Sequence, residues 1–379
     1  MKKFPPRIPL SGRLLAAGLL LFLQIGAAGA GEARPSKQAE WDKTLQAAKK
    51  EGQVVMYVSD VYEEVFRQFQ KRYPEIKVVI VPGAGNAIAN RIMSERRAGK
   101  YLGDFYLGGS GTAHDVLLKA KVLDPVKPTL ILPEVVDESK WWRGKHKYVD
   151  PQGEYIFAFN GLSQSYFHFN SKMVNPKEFK SYWDFLQPKW KGKILVMDPT
   201  MGGGVTGVLR FLYHTKALGP EFLTRFLGEM DLGVTRDLRQ YVDWLAAGRY
   251  AIATFASADR ADLYKAKEQG LAVDWFDPRI FKEGAPLSSS NGNLALMNNA
   301  PHPNAAKVAI NWLLSREGQM VYQKFQEGAD SLRIDIPKEE VPPHTRRWEG
   351  VRYEVMDNPE WRDMEPIRQV VNEVWKKKK

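Results

Sequence analysis

Cysteine is absent from the 379 residues, so no disulfide can staple the fold and no lipid can be attached through a cysteine after an export signal. Histidine is scarce. The six present (His114, His146, His168, His214, His302 and His344) show no spacing of the kind that ligates a metal. H-E-x-x-H and G-x-S-x-G do not occur, which removes the signatures of zinc and serine hydrolases. No RNP-like aromatic motif or zinc-finger spacing is present, and basic residues alternate with acids along most of the chain. Nucleic acid is therefore not the expected partner, despite a net charge of +11. The one dense basic run, Lys376 to Lys379, is a chain-end tail that solvation explains.

What is present begins with a leader. Lys2, Lys3, Arg7 and Arg13 precede an apolar run over residues 14–25, and small residues end at Ala28, Gly29 and Ala30. This is the pattern of a secretory signal peptide over residues 1–30, too short in its apolar part for a membrane span of about 20 residues. The expectation is export to the periplasm, with no membrane insertion after cleavage. Cleavage leaves 349 residues, enough for two domains, and takes the net charge from +11 to +7. Such an excess is compatible with an anionic ligand.

The remaining chain reads as two series of strand, loop and helix, which implies parallel sheets with helices on their faces and an α/β fold class. In the first series, strands over residues 54–58, 77–81 and 104–107 each run into a polar or glycine-rich loop. Those loops are Ser59-Asp60, 83–86 ending at Asn86, and 108–111 with Gly109 and Ser110. Residues 125–142 read as irregular, with Trp141 and Trp142 covering core. The second series starts at residue 193, where an apolar strand is stopped by Asp198-Pro199-Thr200. Gly202, Gly203 and Gly204 follow, and Val205 and Thr206 open a helix. Two further units pass through Thr235-Arg236 and through Ser257. Extended segments near Ser165 and near Ser290-Asn291 separate the halves. A long helix is expected over residues 304–325, and a last one near 366–375, after a proline-punctuated, charged stretch.

Ligands of open α/β sheets bind outside the carboxyl ends of the strands, and free N–H groups at a helix start favour anions. Gly202 to Gly207 also satisfies G-x-G-x-x-G. However, four residues separate the strand from the first glycine, and Glu229 and Asp231 precede the next strand instead of ending it. An exported chain is also a poor place for a dinucleotide cofactor. No cofactor is expected.

Several stretches together resemble the periplasmic solute-binding proteins of ABC importers, in the group with ferric-ion-, thiamine- and phosphonate-binding members. They are Trp41 with residues 48–57, "FRQFQKRYP" at 66–74, Gly103-Asp104, residues 183–186 with 188–194, and "NWLLSREGQ" at 311–319. The resemblance covers residues 41–325. It implies a two-lobed type II fold with crossing strands as a hinge near 161–165 and 287–291. Lobe 1 is then residues 40–162 plus 291–329, lobe 2 is residues 163–290, and 330–379 form a charged C-terminal extension.

The resemblance further implies a monomeric, non-enzymatic receptor that holds a small solute between the lobes and delivers it to permease subunits. Ferric binders of this group use two adjacent tyrosines in lobe 2, where this chain has Phe255 and no Tyr-Tyr pair anywhere. Tyr57, Tyr62, Asp60 and Asp198 remain as oxygen donors for a ferric ion. An anionic solute of carboxylate or phosph(on)ate type fits the residues better. Its expected ligands are Ser59, Asp60, Asn86, Gly109, Ser110, Ser165, Thr200, Gly203, Gly204, Val205, Thr206, Arg236, Ser257 and Asn291. Arg236 offers a bidentate fork unless Asp237 takes it, and Tyr62, Tyr166 or Phe255 offers an apolar wall. A ferric-ion-binding protein and a secreted enzyme are the alternatives.

Overall fold

The computed structural model describes residues 37–375 apart from 60–61, 203, 257–259 and 327. The expected leader, Asp60, Gly203, Ser257 and the basic tail therefore lie outside the described residues.

The first lobe forms as its periodicity predicts. Helix α1 (Lys37–Glu51) buries Trp41, Thr44 and Ala48 at helical spacing and ends at Gly52, whose φ of +74° suits glycine. Strand β1 (Gln53–Val58) leads to α2 (Glu63–Arg72), which buries Val65, Phe66 and Phe69. Strand β2 (Lys77–Pro82), helix α3 (Gly85–Arg97) and strand β3 (Phe105–Gly108) follow. All four residues of β3 are buried, as suits a central strand. Residues Thr112–Leu118 then coil as a wide π-type helix. After β4 (Leu123–Asp124) and the single turn α4 (Pro133–Val136), strands β5 (Lys147–Tyr148) and β6 (Ile156–Ala158) close this half. Trp141 is 1% exposed, a core residue as expected.

Strand β7 (Leu162–Ser163) leads into the second lobe, built on β8 (Phe167–Phe169) and β9 (Ile194–Met197). Helices α5 (Gly204–His214) and α6 (Gly219–Glu229) come next, then β10 (Leu232–Thr235) and α7 (Leu238–Ala246). Strand β11 (Ile252–Thr254), helix α8 (Arg260–Glu268) and β12 (Asp274–Trp275) finish it. The sheet order is β10-β9-β11-β8-β12, with β9 parallel to β10 and β11 and β8 antiparallel to β11. Its core is dense in phenylalanine. Phe167 stacks on Phe185 at 4.0 Å, and Phe169 meets Phe276 at 4.7 Å.

The chain crosses back along β13 (Ala285–Ser288), antiparallel to β7 with Leu287 opposite Ser163. Strand β14 (Asn293–Met297) then inserts antiparallel between β3 and β6, giving the first-lobe order β2-β1-β3-β14-β6-β5. The long helix expected over 304–325 is two helices, α9 (Pro303–Leu314) and α10 (Arg316–Phe325). The break is at Ser315, whose Oγ accepts the Gly318 N–H as an N-cap (3.1 Å). The close fit of Gly318 against the Trp312 carbonyl leaves no room for a Cβ.

Over residues 330–375 the charged stretch is packed into the fold and is not an outlying extension. Asp330 (1% exposed) pairs with Lys338 at 2.9 Å, and Arg347 donates to Gly161 O and Ser331 O, both at 2.6 Å. Internal pairing is what lets so polar a segment leave water. Strand β15 (Tyr353–Val355) pairs with β13, so the crossing pair becomes a three-stranded sheet, β15-β13-β7. Helix α11 (Glu365–Trp375) then buries Ile367, Val371 and Trp375 in the second-lobe core. The C-terminal stretch thus passes lobe 1, crosses the hinge strands and ends on lobe 2. Among the described residues no helix is long and apolar enough to cross a membrane.

Candidate functional site

The carboxyl end of β3 is shaped by close contact. A Cβ on Gly108 would overlap Ser59 Oγ and the Tyr106 phenol, so glycine there lets the loop fold in over both. Ser59 Oγ lies 3.3 Å from the Tyr106 hydroxyl, and Asn293 Nδ2 donates to Gly108 O and Ser290 O (both 2.9 Å). This ties the β3 loop to the turn before β14. Ser110, next in the loop, is half-buried and donates through Oγ to Asp357 Oδ1 at 3.1 Å.

Asp357 comes from the C-terminal stretch. Its Oδ2 accepts from the Ser289 N–H (2.8 Å) and from Lys147 Nζ (3.1 Å). One carboxylate therefore gathers donors from lobe 1 and from the crossing segment. Burial would raise its pKa, but the Lys147 charge and the Ser289 N–H outweigh it, and the group sits below the ordinary carboxylate range. Five residues on, Arg362 Nη1 donates to Asp115 Oδ2 at 3.0 Å, on the π-type helix of lobe 1. Between the two, Trp361 stacks on His214 of α5, with ring centres 5.1 Å apart and planes 11° apart.

Arg210 on α5 completes the cluster from the side of lobe 2. Its guanidinium is half-buried and has no hydrogen-bonding partner among the described residues, with Nε fully covered. Burial first, and then the neighbouring charge of Arg362, lower its pKa; Tyr166, Asp357 and Asp115 act in the opposite sense. Arg362 Nε and Nη2 are likewise covered and unpartnered among the described residues. Arg210 stands one turn before His214 on α5, and Trp361, next to Arg362, stacks on that His214, so both cations lie about this contact with covered donors unused. Such an arrangement costs free energy until an anion or water fills it.

The sequence-predicted residues scatter around this cluster. Ser110 belongs to it, but its hydroxyl is taken by the chain's own carboxylate. Gly109 O accepts from Tyr106 OH (3.4 Å), and the Asn291 carbonyl accepts from Tyr62 OH (3.1 Å). Asn86 is exposed in the first turn of α3. Ser165 is buried and donates to Phe167 O (3.0 Å). Thr200 bonds to Asp198 through both N–H and Oγ1 (2.9 and 2.7 Å). Arg236 pairs with that same Asp198 at 2.9 Å; the expected competitor, Asp237, instead accepts from Gln240 N as the α7 cap. Gly202 and Thr206 line a cavity of about 390 Å³, but across it stand Met364, Ile367, Arg368, Val371 and Asn372 of the C-terminal stretch. Gly202 and Thr206 therefore face α11 across this cavity, with Gly204 and the buried Val205 in the first turn of α5.

The expected aromatic wall is core. Tyr62 and Phe255 are fully buried and Tyr166 is 3% exposed; Tyr62 stacks on Tyr322 with ring centres 5.9 Å apart. Burial, and then the hydrogen bond that its phenol donates to Glu95, raise the pKa of Tyr57. His168 is buried, and its Nδ1 lies 2.8 Å from Tyr241 OH. Among the described residues no group of three or more His, Asp or Glu side chains is arranged to hold a metal ion. Lys147, Arg210, Asp357 and Arg362 were not foreseen from the sequence. Arg210 did carry a signal: it is the only charged residue inside an otherwise apolar helix, "GVTGVLRFLYH".

The family model for bacterial extracellular solute-binding proteins matches residues 57–320. Among solved structures the chain is similar to apo FutA2 from Synechocystis PCC6803, at 19% identity and a TM-score of 0.63, over 85% of this chain and 98% of that one. It is similar to iron-bound HitA from Pseudomonas aeruginosa at 17% identity and 0.56, over 85% and 99%. It is also similar to AfuA from Actinobacillus pleuropneumoniae with fructose-6-phosphate bound, at 18% and 0.53, over 85% and 97%. At these identities the likeness is one of fold, the two-lobed type II architecture.

Proposed function

The chain belongs to the family of bacterial extracellular solute-binding proteins, and from that premise we propose that it captures a small anionic solute between its lobes, of carboxylate or phosph(on)ate type. As a solute-binding protein of the ABC-importer type it is a carrier and not an enzyme. We place it in the periplasm, as a monomer that hands its solute to permease subunits.

The observation that carries the anionic reading is Arg210. A guanidinium on α5 of lobe 2, with its Nε covered and no partner among the described residues, is matched by an incoming oxyanion better than by any neutral solute. Closing the lobes over an anion removes the repulsion between Arg210 and Arg362, so the solute favours the closed form by differential contact. AfuA, whose bound ligand is a sugar phosphate, gives a precedent for such a solute on this fold. Ferric capture through phenolates has less support, since the Tyr57, Tyr62 and Tyr166 hydroxyls are each hydrogen-bonded within the protein.

A thermal-shift screen of carboxylates, phosphonates, phosphate and sugar phosphates tests the reading. A true ligand at a hundredfold its Kd adds about 2.7 kcal/mol of stability. No shift with any of them overturns it. A reddish charge-transfer band on the purified protein, bleached by a chelator, supports ferric binding instead.

A further inference from the structure

We propose that Arg362, carried in from beyond the family-matched region, binds the anionic group of the solute directly and shares it with Arg210, so that the C-terminal stretch is part of the binding site. This rests on the anionic reading above and names the second residue that would carry it.

Of the three nitrogens of Arg362, only Nη1 is engaged, by Asp115 at 3.0 Å. The other two, Nε and Nη2, form the side edge of the guanidinium, whose parallel N–H groups match two oxygens of a carboxylate or phosphoryl group. Both are covered, and neither has a partner among the described residues. Arg210, from the opposite lobe, presents a covered Nε in the same condition, one turn before the His214 on which Trp361 stacks. A second acid could have neutralised this pair, but Asp357 is committed to Lys147, Ser110 and Ser289.

The segment that carries Arg362 is held on both sides of the cleft. Asp357 fastens it to lobe 1 and the crossing segment, while Trp361 rests on His214 of lobe 2. Asp357 is therefore a positioning residue, and Arg362 a ligand contact. The solute class follows from the donors: an oxyanion with two oxygens free to meet one guanidinium edge and a third region of charge to meet Arg210.

Isothermal titration of the purified protein with inorganic phosphate, methylphosphonate and citrate tests this, alongside the melting temperature of the unliganded protein. For whichever probe binds, Arg362→Gln is expected to weaken affinity about tenfold or more. The unliganded melting temperature should stay unchanged or rise, because a crowded cation has been removed. A purely structural role for Arg362 predicts the reverse, a lower melting temperature with affinity retained, and that result overturns the proposal. Should the glutamine variant not fold, Arg362→Lys gives the same reading, since it keeps the charge near Asp115 and loses the fork. Loss of binding in Arg210→Gln with unchanged affinity in Arg362→Gln overturns this proposal alone. Binding of none of the three probes by the unaltered protein removes the anionic reading, and this proposal with it.

Discussion

Ser110 and Asp357 lie 247 residues apart in the chain and are joined by a 3.1 Å hydrogen bond at the mouth of the first-lobe loops. The bond places a carboxylate of the protein itself on a hydroxyl suited to an anionic solute. It also explains how the C-terminal stretch is registered against the cleft, since Lys147 and the Ser289 N–H hold the same side chain.

Asp357→Ala leaves Lys147 partly buried without its counter-ion, and breaking a buried pair from one side costs about 3 kcal/mol. Urea denaturation at neutral pH should show that loss. The Asp357 pKa is depressed in the folded protein, so its contribution is complete above the ordinary carboxylate pKa of about 4 and disappears as pH falls through the folded value. The unaltered protein should therefore lose stability below that pH more steeply than Asp357→Ala. Parallel curves would show that the pair contributes nothing.

Arg236 and Arg210 give opposite expectations. Arg236 is 67% exposed and paired with Asp198, so Arg236→Ala should change stability by less than about 1 kcal/mol and leave anion affinity unaltered. Arg210→Gln should weaken that affinity by about tenfold or more in the same titration. A large loss with Arg236→Ala would move the site to the end of β10.

Ile367 of α11 is fully buried in the second-lobe core. Ile367→Ala should cost about 3 kcal/mol, read as a shift in the denaturation midpoint. A neutral result would mean that α11 is not anchored on lobe 2 in solution.

His146 packs edge-on to Trp141 and Phe157 and lies 2.8 Å from Val135 O through Nε2. Burial holds its pKa below the usual value of about 6.5. The unfolded chain then takes up the proton first as pH falls, so stability is full above about pH 6.5 and declines towards pH 5. His146→Gln should flatten that decline in melting temperature, with His214, also depressed by burial, accounting for a remainder.

Much of the fold was legible because its signals are local. The apolar run at β9, the helical spacing of Val65, Phe66 and Phe69, and the turn residues after each strand depend only on neighbours in sequence. The break at Ser315 was missed because apolar spacing continues through it, while a cap and a close glycine contact decide the matter. The candidate site was less legible. Polar residues at strand ends were identified, but which of them would be occupied internally depends on a segment arriving from 250 residues away.

By itself, then, the sequence determined an α/β chain of two strand–loop–helix series with polar loops at the strand ends. Periodicity states which face of an element is buried, and glycine and proline state where the backbone must turn. The tertiary structure decided what each face and each polar group meets. It set Arg236 on Asp198, Ser110 on Asp357, and Gly202 and Thr206 opposite α11. It also left Arg210 and Arg362 with covered donors that have no partner among the described residues. Pairing of charges and hydrogen bonds is a long-range outcome of packing, and no local pattern encodes it.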